Sequence, residues 1–214
     1  GEITNFGDLT ITSTGNVTIQ EDSVTNLVGA NTAGSLNLTS TLGTLINGSV
    51  TTPGEQVYNS AVTLSGNTTL SAADTDADSE GIDFGSTVAG GGNDLDITGG
   101  AGFASMVSGI GALTADHIDS ESTISATSVN VTGTSDLGGN VTTTGDQTYG
   151  GSVLLTASTE LDGNNVMAGA INAGGHTLTL DGATSASTGA ITNGNLVTQT
   201  AATIASGDLG TLAV

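Results

Sequence analysis

Val50 to Leu70 reads VTTPGEQVYNSAVTLSGNTTL and Val141 to Leu161 reads VTTTGDQTYGGSVLLTASTEL, identical at ten of twenty-one positions without a gap. In each copy apolar residues stand two apart, at Val62 and Leu64 and at Val153 and Leu155. That spacing turns one face of an extended strand inward. The likeness continues from Ile82–Gly99 to Asn165–Gly182, matching Val88 with Ile171, Leu95 with Leu178 and Ile97 with Leu180. The offset falls from 91 residues to 83 because the first copy carries eight extra residues, Ala73 to Glu80. An acidic insertion between matching strand patterns predicts a surface loop.

Outside the repeat the same alternation recurs at Leu9 and Ile11, Val17 and Ile19, Leu36 and Leu38, and Val129 and Val131. Turn formers such as Thr14-Gly15-Asn16, Gly90-Gly91-Gly92-Asn93 and Asn193-Gly194-Asn195 separate the alternating pairs. The chain therefore reads as all-β. Two architectures fit a repeat of roughly 90 residues, namely tandem β-sandwich domains or one continuous parallel β-solenoid over residues 1–214, with the internal repeat at 50–99 and 141–182. The core chemistry favours the solenoid. Aromatics are limited to Phe6, Tyr58, Phe84, Phe103 and Tyr149, with no Trp, whereas a sandwich core about 10 Å thick calls for bulky anchors. Single Val, Ile and Leu residues fill narrow coils stacked about 4.8 Å apart. At about 20 residues per coil the chain makes on the order of ten coils and a rod roughly 50 Å long.

Charge narrows the functions. The 214 residues contain no Lys or Arg and 21 Asp or Glu, leaving His117 and His176 as the only side chains able to carry positive charge. Nucleic acid and other polyanions are held mainly by neutralising their charge, so neither is expected as a partner. No apolar run is long enough to cross a bilayer as a helix, and membrane insertion is not expected. Cys is absent, which removes disulfides and thiolate metal sites. The chain opens on Gly1 without a signal-peptide pattern, as expected of a processed or excised segment.

At V-T-T-x-G-[ED]-Q-x-Y-x-x-x-V-x-L, found at Val50–Leu64 and Val141–Leu155, the sequence resembles the β-strand repeats of very large secreted bacterial proteins of the filamentous-haemagglutinin and autotransporter-adhesin type. The Gly-rich turns with alternating apolar residues at Gly90–Ile97 and Gly174–Leu180 are similar to the next part of that repeat. The resemblance covers about half the chain. It implies a right-handed β-helix, extracellular or on the cell surface, with structural or adhesive work. It also implies architectural roles: Gly54, Gly145, Gln56 and Gln147 shaping turns or stacking as polar ladders, and Tyr58 and Tyr149 anchoring corners.

The chief metal candidate is Asp74-Thr-Asp76-Ala-Asp78-Ser-Glu80-Gly81, whose alternate acids suit a hard, oxygen-seeking cation such as Ca²⁺. It departs from an EF-hand loop at Ser79, where Gly is expected, and at Gly85, where Glu is expected. Asp116-His117-Ile118-Asp119-Ser120-Glu121 offers one imidazole among acids, a pattern more typical of polar surface. Carboxylate pairs for glycoside hydrolysis are plentiful, but a Trp platform and cationic grips on a substrate are absent, and no G-x-S-x-G elbow occurs. The chain is therefore read as no enzyme. Thr-x-Thr pairs at Thr10/Thr12 and Thr177/Thr179 read as ordinary exposed strand residues.

The expectation is a structural extracellular subunit that self-assembles head to tail, with divalent cations relieving its repulsion. The alternative is a stalk segment of a giant adhesin. Leu209, Leu212 and Val214 are expected to continue a strand ladder onto Ile3 and Phe6 of a second copy.

Overall fold

A computed structural model of the chain describes residues 6–73, 80–198, 202–204 and 207–213. The described residues are all-β without a helix, with parallel strands stacked as a β-solenoid of about nine turns. Among the described residues no helix is long and apolar enough to cross a membrane.

Each turn has three sides. Side A stacks Thr25 on Thr44, Val62, Val88, Val107, Ile124, Val141 and Leu161. Side B stacks Asn31 on Val50, Leu70 and Ile97, and further along Ala115 on Val131, Tyr149 and Ala168. Side C runs Val17, Leu36, Gln56, Ile82, Ala101, Ile118, Ser135, Val153, Ile171 and Ile191. Successive members of side C are 17 to 20 residues apart, except for a step of 26 from Gln56 to Ile82. That long step contains the acidic insertion, and the register resumes at Ile82 beyond it.

The period-two pattern acts as expected. In Val62–Ala72 and Ile124–Val131 buried and exposed positions alternate within each side, and the buried ones join a single core of Val, Ile, Leu and Ala along the axis. The larger core members concentrate on side C, where Tyr58, Phe84 and Phe103 stack on consecutive turns. Their ring centroids lie 5.3 and 5.1 Å apart and the planes tilt by 13° and 8°. Those separations follow from the strand spacing. The column then narrows to Ser120, Leu137 and Leu155.

The quoted motif folds into a corner staple. In the first copy Gln56 Nε2 donates to Val50 O at 3.1 Å and to Ser71 O at 2.9 Å, and Tyr58 Oη donates to Gln56 Oε1 at 2.9 Å. In the second, Gln147 Nε2 donates to Val141 O at 2.9 Å and to Asp162 O at 2.7 Å, and Tyr149 Oη donates to Gln147 Oε1 at 3.1 Å. Each Gln thus ties its own turn to the next. Neither stacks as a polar ladder, because Leu36 and Ile82 flank Gln56 and Val129 and Val166 flank Gln147. The glycines are set by close approach: a Cβ on Gly54 would lie 2.9 Å from Gly34 O, and one on Gly145 2.8 Å from Thr127 O. Burial pushes both tyrosine hydroxyls well above their usual range.

Candidate functional site

With no Lys or Arg, the acids find other partners, and many of those partners lie on neighbouring turns. Asp94 Oδ1 accepts from Ala112 N at 2.8 Å, while Asn67 Nδ2 donates to Asp94 Oδ2 at 3.3 Å and Asn67 Oδ1 accepts from Asp94 N at 3.0 Å. Asn140 and Glu160 repeat this reciprocal clamp at 3.0 and 3.4 Å. Asp116 accepts from Gly99 N at 2.9 Å and from the Thr132 hydroxyl at 3.1 Å, joining three turns. Asp146 accepts from Asn164 and Asn165 at 3.1 and 2.8 Å, and Asp96 accepts from the Thr114 hydroxyl. Hydrogen bonds to ionised acceptors are stronger than neutral ones. These carboxylates fasten turn to turn.

The acids on side C are arranged differently. Its outward column reads Val57, Asp83, Gly102, Asp119, Asp136 and Leu154. Gly102 leaves a notch, where a Cβ would meet Asp83 Oδ1 at 3.1 Å and Glu80 Cγ at 3.2 Å. Around it Glu80, Asp83, Asp119 and Glu121 line a shallow open pocket of about 170 Å³. Glu80 is buried and its Oε1 stands 3.5 Å from His117 Nε2, while His117 Nδ1 is 2.7 Å from the Thr134 hydroxyl. Asp119 titrates above the usual carboxylate range. Burial is the main cause, the Asp136 charge adds to it, His117 opposes it, and Glu121 contributes further in the same direction.

The pocket joins two segments that the sequence presents separately, since Glu80 comes from the acidic insertion and Asp119 and Glu121 from the segment two turns on, which also carries the His117 beside Glu80. Of the four expected Ca²⁺ ligands, Asp74, Asp76 and Asp78 lie outside the described residues. Glu80 faces the imidazole. Among the described residues no three His, Asp or Glu side chains converge as a metal-holding group. The rings of Phe84 and Phe103 belong to the core, so the pocket offers carboxylates and backbone but no aromatic platform. Of the residues expected to join copies, Ile3 and Val214 lie outside the described residues, and Phe6 is partly exposed beside the first turn.

These features define the class as a three-sided parallel β-solenoid in which several acids serve as links between turns. Comparison of the chain with protein-family models, with curated proteins and with solved structures found no match.

Proposed function

We propose that this chain is a structural, noncatalytic extracellular rod whose copies join head to tail into a filament or surface layer. The observation that carries the reading is the uniform polarity of the ladder, since the strands stack in parallel from the first turn to the last described one. A parallel ladder presents different, complementary edges at its two ends. Copies meeting through them make a heterologous contact, which propagates into an open fibre. The absence of Lys and Arg removes every trypsin cleavage site, a property suited to a long-lived extracellular material. The 21 acids repel neighbouring rods at neutral pH, and divalent cations are the partners that would relieve this.

Negative-stain electron microscopy of the purified chain, with millimolar Ca²⁺ and with chelator, tests the reading. Long filaments of uniform narrow width are the expected result, and their loss in chelator would assign the acids a linking role. Dispersed short rods under every condition would overturn the polymer and favour a stalk segment of a longer adhesin, in which the same ladder continues within one chain. Turnover of a neutral glycan, abolished by Asp119→Asn, would overturn the noncatalytic reading.

A further inference from the structure

Two acids are buried among the described side chains, Glu21 and Glu80. Glu80 faces His117, but among the described residues Glu21 faces no cation. It ends the first strand of side C, Asn16–Glu21, and points inward with 4% of its surface exposed. Ser35–Ser40 pairs with that strand along one edge, placing Ser40 beside Glu21. Among the described residues no strand lies along the other edge.

Glu21 Oε1 accepts from Phe6 N and from the Ser23 hydroxyl, both at 2.8 Å, and Oε2 accepts from the Thr25 hydroxyl. Thr25 in turn lies 2.5 Å from the Ser40 hydroxyl. The surrounding described elements add no positive charge. Asp22, exposed, follows on the same turn, and Asp8 on side A accepts from Asn26. The strands Thr25–Thr32 and Ser35–Ser40 carry no ionisable residue. The last described strand, Gly207–Ala213, which a second copy would bring to this edge, includes Asp208 and no Lys, Arg or His.

An inward-pointing charge in an edge strand deters further pairing, because an incoming strand must finish stripping water from it. We infer that Glu21 is an ionic gate on head-to-tail joining: the charged carboxylate holds the first-turn edge closed to a second copy, and loss of the charge opens it. The inference rests on the head-to-tail reading and adds its control. Acid would open the gate, although it also weakens the repulsion among all the other acids. Substitutions at neutral pH separate the two effects.

The test is the critical concentration for assembly of the full chain at pH 7, read by sedimentation, for the wild type, Glu21→Gln and Asp22→Asn. Both variants remove one negative charge from the same turn, but only the first removes the buried one. Glu21→Gln is expected to lower the critical concentration about tenfold, which corresponds to about 1.4 kcal/mol, with a much smaller change for Asp22→Asn. Equal changes would overturn the gate and leave head-to-tail joining intact. Failure of all three to assemble at any pH would overturn the joining itself, and the gate with it. Thr25→Val gives a second readout that leaves Glu21 in place. Removing that donor should let the carboxylate protonate at higher pH and so raise the pH at which assembly begins, and an unchanged onset would count against the gate.

Discussion

The two copies of the motif do the same local work on different sides of the rod. In the first, Val50–Thr52 lies on side B, Gln56–Tyr58 on side C and Val62–Leu64 on side A. In the second, Val141–Thr143 lies on side A, Gln147–Tyr149 on side B and Val153–Leu155 on side C. The repeat is therefore rotated by one side, yet the Gln amide, the Tyr hydroxyl and the close-packed Gly make matching contacts in both. The motif specifies a corner with its two flanking strands, and it is indifferent to which side of the rod it builds. What differs is the stacking company. Tyr58 rests on Phe84, whereas Tyr149 sits between Val131 and Ala168.

Truncating the rings tests that difference most strongly. Tyr58→Ala should destabilise the solenoid by about 4 kcal/mol, and Tyr149→Ala by about 1 kcal/mol less, because only the first also loses an aromatic stack. Urea unfolding followed by circular dichroism reads both, and equal losses would show that the stack adds nothing. The glutamines should behave alike. Gln56→Leu and Gln147→Leu each leave buried carbonyls without their donor, at about 2 kcal/mol apiece. A clear inequality between them would break the equivalence of the two staples. Smaller again are the clamps: Asn67→Ala and Asn140→Ala are each expected to cost about 1 kcal/mol, with faster amide exchange confined to the turns they join.

The smallest effects concern pH, where Glu21 and Asp119 should act with opposite sign. Burial alone would raise the Glu21 carboxyl, but the Thr25, Phe6 and Ser23 donors together bring it below the usual 4.5. Its stabilising contribution is thus complete above that value and disappears as pH falls through the lower folded value. Burial and the Asp136 charge hold Asp119 above its usual 3.8. Its ionised form therefore costs stability near neutrality, and this cost is relieved as pH falls from the raised value toward 3.8. Profiles of Tm against pH should show Glu21→Gln flattening the acid-side loss, and Asp119→Asn raising Tm at neutral pH while removing the gain on mild acidification. Parallel shifts in both variants would contradict the assignment.

Much of the architecture is legible along the chain, because alternation at pairs such as Val62/Leu64 and Leu178/Leu180 marks the inward residues wherever they fall. The insertion at Ala73–Glu80 is equally legible, since it interrupts an otherwise gapless alignment. The pocket is not. Glu80 and His117 are far apart in sequence and meet because the one turn between them places them on one corner, and turn lengths vary too much for spacing to reveal it. The register shifts between Ile46 and Gly48, Val107 and Ile110, and Gly163 and Asn165 likewise leave no periodic trace.

By itself, the sequence determined that the strands would be short and half-buried, that the core would be small-chained, and that ion pairing would be confined to two histidines. These follow from residue chemistry and a period of two, which are local. Tertiary structure alone decided which side each strand occupies and which donor meets each carboxylate. Both depend on the accumulated length of every earlier turn, so a single insertion changes what lies above and below without altering any local pattern.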